Sequence, residues 1–187
     1  LARKWGYLKK GIPDNEAVIV AVRQNFHGRT TTIISASTDN LARAGFGPFM
    51  PGFEIVEYDN TDAIASAISN QNVCGLWIEP IQGEAGVYVP HDGYLKTARE
   101  LCTKHNVLLM MDEIHTGIAR TGKMLASDHE NVRPDLLILG KALSGGVLPV
   151  SCVLADDDVM MLLKPGEHGS TFGGNPVTMA TALATIE

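Results

Sequence analysis

Charged residues fall repeatedly where apolar runs stop. "LLILG" (136–140) reads as a buried strand and is followed at once by Lys141. "CGLWIEP" (74–80) carries Glu79 at its end, and "VLLMMDEI" (107–114) carries Asp112 and Glu113. "EAVIVAV" (16–22) runs into "FHGRT" (26–30), with Phe26, His27 and Arg29. A charged amine is costly to bury unpaired. A lysine held in a dry cleft has its pKa lowered and becomes a nucleophile for carbonyl carbon, giving a Schiff base. A carboxylate facing it can keep a pyridinium nitrogen protonated, which makes the ring an electron sink. Lys141 and Asp112 therefore suit a pyridoxal phosphate site. The same pair also suits an aldolase-type lysine without a cofactor, or a structural ion pair. Taken singly, a strand-end aspartate also suits a turn or helix cap, and a strand-end lysine a solvated surface.

These ends meet only if the runs are neighbouring strands. The chain alternates strand and helix signals. Strand candidates are 16–22, 54–58, 74–80, 107–114, 136–140 and 149–155. Between them, "TDAIASAISN" (61–70) has Ile64, Ala67 and Ile68 at helical spacing, and residues 92–106 put Leu95, Ala98, Leu101 and Cys102 on one face. "DDDVMMLL" (156–163) opens with aspartates, as a helix start does. Apolar strands without alternation imply cover on both sides. The expected fold class is α/β, a mostly parallel sheet with helices on both faces. In such sheets ligands sit beyond the carboxyl ends of the strands, where the charged residues fall. Two glycine-rich loops, 81–90 and 164–176, complete the set.

Bulk properties narrow the classes. The 187 residues suffice for one domain with a real core. A net charge of −6 argues against a general nucleic-acid binder. Cys74, Cys102 and Cys152 form no CxxC pair, so neither a disulfide framework nor a metal site is expected, and a reducing compartment fits. No apolar run reaches the roughly 18 residues of a membrane span, so no membrane partner is expected. The chain starts without methionine and ends inside a helical pattern, so it reads as a piece of something longer.

Five motifs in order, "FHGRT", "EPIQGEAG" (79–86), "DEIHTGIARTG" (112–122), "LGKALSGG" (139–146) and "PGEHGSTFGGNP" (165–176), resemble the class III pyridoxal-phosphate aminotransferases. The resemblance covers nearly the whole chain. Its wording is most similar to the ornithine aminotransferase branch, with acetylornithine aminotransferases the nearest relatives. It implies the fold type I large domain, here incomplete: residues 1–187 would be its central part, without the N-terminal segment and the C-terminal small domain. It implies pyridoxal 5'-phosphate as cofactor, and a homodimer with shared active sites. Lys141 would form the Schiff base and shuttle the proton. Asp112 would pair with the ring nitrogen, Phe26 would stack on the ring, and His27 and Glu79 would lie beside it. Ser170 and Thr171 would bind the phosphate, of the partner subunit's cofactor. Glu84 would pair with an arginine that holds the second substrate's carboxylate, and Arg29 is a candidate carboxylate contact.

The implied reaction moves the terminal amino group of ornithine to 2-oxoglutarate, giving glutamate and a semialdehyde. The alternatives are acetylornithine or 4-aminobutyrate as donor, or a truncated product without catalysis. The resemblance leaves the compartment between mitochondrial matrix and cytoplasm. The chain departs from the family pattern at His115, where glutamine is usual and lies near the cofactor's phenolic oxygen. It departs also at Met111 and Cys152, where small residues are usual.

Overall fold

The computed structural model describes residues 1–187. Six strands form one sheet: β1 (Val18–Val22), β2 (Phe53–Val56), β3 (Val73–Ile78), β4 (Leu108–Asp112), β5 (Leu136–Leu139) and β6 (Cys152–Ala155). Their spatial order is β2-β1-β3-β4-β5-β6. All neighbours are parallel except β6, which pairs antiparallel with β5 at the sheet edge. The chain moves one way from β1 to β2, then crosses back to β3 on the other side. That reversal opens a crevice at the strand ends between β1 and β3.

Seven helices are α1 (Ala2–Trp5), α2 (Thr31–Ile34), α3 (Asn40–Arg43), α4 (Thr61–Ile68), α5 (Tyr94–His105), α6 (Asp157–Met160) and α7 (Pro176–Ile186). The Asn60 side chain caps α4 by accepting from the Ala63 N–H, and Asn106, left-handed at φ 51°, ends α5. Some expected elements are shorter here. Helix α6 stops at Met160 although the apolar pattern continues to Leu163, and β6 begins only at Cys152.

The sheet is covered on both faces, as expected. Ile64, Ile68, Leu95, Ala98 and Cys102 of α4 and α5 pack on Leu76, Ile78, Leu109 and Met111. Ala2, Trp5 and Val159 pack on the other face with Cys74, Trp77, Leu108, Met110 and Leu136. Side chains alternate along a strand. Asp112 thus shares parity with Leu108 and Met110, on the face of Trp77, and register carries Glu79 to its side, since Ile78 pairs with Met111. The carboxylates at these strand ends are set by the same alternation that builds the core. No helix is long and apolar enough to cross a membrane.

Candidate active site

A cavity of about 150 Å³ opens at the carboxyl ends of the strands, lined by Phe26, His27, Gly28, Glu79, Glu84, Asp112, Ile114, His115 and Lys141. Seven of these nine were singled out in the sequence. The loop after β1 brings Phe26 and His27, held by Asn25, whose buried side-chain amide donates to the carbonyls of Val22 and Ala36. The Phe26 N–H donates to Glu79 Oε2 at 3.1 Å. The Tyr58 hydroxyl donates to the Pro80 carbonyl at 3.0 Å, which fixes the turn that follows Glu79.

Asp112 and Glu113 look alike in the sequence and do different work. Glu113 is turned into the protein, where it accepts from the Thr116 hydroxyl and the N–H groups of Ala126 and Ser127. Both its oxygens are consumed in holding that turn. Asp112 faces the cavity. Its Oδ1 accepts from the Ile114 N–H at 3.1 Å, and its Oδ2 meets His27 Nδ1 at 2.7 Å. No lysine or arginine pairs with it, although it is 4% exposed. A buried carboxylate is costly without a cationic or hydrogen-bonding complement. His27 is itself stacked on Trp77, ring centroids 3.9 Å apart, and its Nε2 is buried without a partner. Trp77 escaped the sequence reading as a site residue. Its position in an apolar strand looks like core, and only the parity it shares with the strand end marks it.

Lys141 follows extended Gly140 and opens a short 3₁₀ turn, Lys141–Ser144, with a left-handed φ of 42°. A non-glycine residue held there costs about 1–3 kcal/mol. The Ser144 hydroxyl donates to the Lys141 carbonyl and steadies the turn. The expected dry cleft is only half realised. Asp112 is buried, but the Lys141 side chain is 45% exposed, because the turn lifts it past the strand end. Nor does its amine meet Asp112 directly. It donates to Glu84 Oε1 at 3.3 Å and lies 3.0 Å from His115 Nδ1. Within this chain the partner of Glu84 is Lys141.

Two further expectations move. Arg29 is exposed, outside the cavity wall, with its guanidinium 5.2 Å from the Phe26 ring centroid. Its cation rests on that aromatic face instead of pointing to a carboxylate site. Ser170 lines a second cleft, about 560 Å³, that Lys141 also borders, and its hydroxyl accepts from the Gly173 N–H. Thr171 is exposed on the same loop and lines neither space.

Burial pushes the Glu79 carboxyl up to about 8, with the Asp112 charge adding to the rise and the Phe26 N–H and Lys141 opposing it. In an unfolded chain the group titrates near 4.5. The folded state therefore binds the extra proton between these values. This contribution to stability is fully present below about 4.5 and is lost as pH rises through about 8. Glu79→Gln keeps the acceptor for Phe26 and abolishes the titration. In cofactor-free full-length protein, its thermal midpoint should gain on wild type steadily from pH 5 to pH 9. Melting curves at three pH values decide this, and parallel midpoints would refute the assignment.

The geometry fits a cationic, ring-nitrogen-bearing group beside Asp112 with an aldehyde within reach of Lys141. Comparison with known proteins agrees. The family profile "Aminotransferase class-III" matches residues 1–187. The chain is 62% identical over 187 residues to a Drosophila melanogaster protein named "Ornithine aminotransferase, mitochondrial", covering all of this chain and 43% of that one. A crystal structure of the Toxoplasma gondii ME49 ornithine aminotransferase superposes with a TM-score of 0.98 at 52% identity, over 99% of this chain and 44% of that one. A second Toxoplasma gondii structure, with the same score and identity and 43% of its chain covered, is described as showing partial occupancy of PLP at the protein active site. The chain thus spans less than half the length of the relatives it matches.

Proposed function

The chain belongs to the class III aminotransferases over all 187 residues, and we propose that it is the central part of the cofactor-binding large domain of an ornithine aminotransferase. The reading rests above all on one observation: the Lys141 amine and the buried Asp112 carboxylate, which meets no lysine or arginine, line a single cavity at the strand ends. The bound group, pyridoxal 5'-phosphate, supplies an electron sink through its protonated ring nitrogen. The remaining work falls to the protein.

Asp112 holds the proton at that ring nitrogen, and His27, itself held by Trp77, fixes the carboxylate's orientation. Phe26 and Ile114 supply apolar wall. Lys141 is the nucleophilic amine that holds the cofactor, and the base that carries the proton at the substrate's amine-bearing carbon. Glu79 closes the floor of the site in a form that changes charge near pH 8. In this reading Ser170 and Thr171, on an exposed loop, hold a phosphate across a homodimer interface. Glu84 is the substrate-side residue, released from Lys141 when a substrate carboxylate or ammonium arrives. Arg29, out on the Phe26 ring, is a substrate contact only if it swings inward.

The substrates of this reading are amino acids and 2-oxo acids, with ornithine as donor and 2-oxoglutarate as acceptor. Several relatives are named as mitochondrial proteins, which supports mitochondria over cytoplasm as the compartment. A donor panel on the full-length protein tests the choice. With 2-oxoglutarate as acceptor, ornithine should exceed acetylornithine and 4-aminobutyrate in kcat/KM by at least tenfold, about 1.4 kcal/mol of discrimination. Equal or inverted preference would replace ornithine as the donor, and no turnover with any of them would remove the enzymatic reading.

A further inference from the structure

Nothing so far accounts for His115. Its Nδ1 lies 3.0 Å from Lys141 Nζ and 4.0 Å from Glu84 Oε1, while Lys141 Nζ reaches the same Glu84 oxygen at 3.3 Å. Two side chains, from the loops after two other strands, thus converge on the Lys141 amine. The ring is also pinned from behind. A Cβ on Gly83 would stand 2.7–2.8 Å from its ring atoms, so the imidazole lies flat against bare backbone. Glycine at 83 is what gives the ring this position.

We propose that His115 and Glu84 form a two-acceptor hold for the Lys141 amine whenever that amine is not covalently engaged, with His115 as the acceptor that also takes its proton. The catalytic meaning of the hold rests on the functional reading above, whereas its geometry does not. An ammonium only donates, so the contact requires a lone pair on Nδ1 and the ring proton on Nε2. When Lys141 turns nucleophile, an N–H bond breaks at Nζ and one forms at Nδ1. The charge passes from lysine to imidazole and stays beside the Glu84 carboxylate, which offsets it.

The hold is pH-sensitive for the same reason. A protonated imidazole has no lone pair and repels an ammonium 3.0 Å away. The charged and titratable groups facing the ring are Lys141 and Glu84, with Glu79, Asp112 and His27 around the same cavity. The glutamine usual in the family would accept through its amide oxygen without this dependence.

Two measurements on cofactor-free full-length protein at pH 8 test the proposal. Imidazole ¹⁵N NMR should show His115 Nδ1 unprotonated and at a hydrogen-bonded acceptor shift. Lys141→Met, and separately Gly83→Ala, should move that shift to the value of a free acceptor. Competitive acetylation should modify Lys141 several-fold more slowly in His115→Leu, which has no base to take the ammonium proton, and His115→Gln, an acceptor but not a base, should not restore the rate. A proton on Nδ1, or a shift indifferent to Lys141→Met, would overturn the proposal without any variant needing to be active. In the cofactor-loaded protein, the visible band should show a pH-dependent step that His115→Gln removes. Protein that shows the coupled pair but binds no pyridoxal phosphate would defeat the functional reading and leave the hold standing. Protein that transaminates with an uncoupled His115 would do the reverse.

Discussion

Lys141→Ala should leave full-length protein folded and able to take up pyridoxal phosphate, yet stop transamination and end covalent retention of the cofactor. Lys141 is the only lysine in the cavity. Lys123 donates its amine to the Asp128 carbonyl, and Lys164 donates to the Met161 carbonyl, both outside it. A neighbouring amine therefore has no path to the same aldehyde. Proton transfer by a positioned group is worth roughly 10²–10⁴-fold by itself, and loss of the nucleophile adds to that. Borohydride makes a lysine–aldehyde linkage permanent. In wild type, peptide mapping after reduction should place the label on the peptide containing Lys141, and in Lys141→Ala no lysine should carry it. Label on Lys123 or Lys164 would sink the assignment. The half-exposed side chain and left-handed backbone make the residue inexpensive to replace, since alanine gives up no core packing.

Much of this site is legible in the sequence because strand ends are. An apolar run that halts at a charge locates Glu79, Asp112 and Lys141 at the strand ends of a mostly parallel sheet before any coordinate is known. What periodicity does not carry is the turn after the strand. Gly140 and the left-handed Lys141 decide that the amine rises to Glu84 and His115 instead of lying against Asp112. A loop whose Val87 has a φ of 63° brings Glu84 back over the strand end. Asp112 and Glu113 are equivalent in a one-dimensional reading, and only the N–H groups of Ala126 and Ser127, more than ten residues on, turn Glu113 inward. Nor does the sequence show that the Arg29 guanidinium lies over the ring of Phe26, 5.2 Å from its centroid.

Asp112→Asn separates charge from shape. The amide keeps an acceptor for the Ile114 N–H and fills the same volume, so the strand end should hold and the cofactor should still bind. What disappears is the negative charge. In wild type that charge is 4% exposed and meets no lysine or arginine, only the Ile114 N–H and the Nδ1 of His27 at 2.7 Å. Its field is therefore barely screened by water and is available to hold a proton on a ring nitrogen in the cavity. A neutral amide cannot do this, and its NH₂ group can turn a donor toward the nitrogen instead, which favours the unprotonated ring. Losing one preorganised electrostatic group in a buried site costs roughly 10²–10³ in kcat. We expect at least that loss here, with little change in KM for ornithine, because in this reading Asp112 acts at the ring nitrogen and not on the substrate. Reconstitution with a cofactor analogue permanently charged at the ring nitrogen, by N-methylation, should return part of the lost rate to Asp112→Asn and none to Lys141→Ala. Near-normal turnover in Asp112→Asn with the natural cofactor would mean that the proton is held by another group, and would dissolve the pairing on which the functional reading stands.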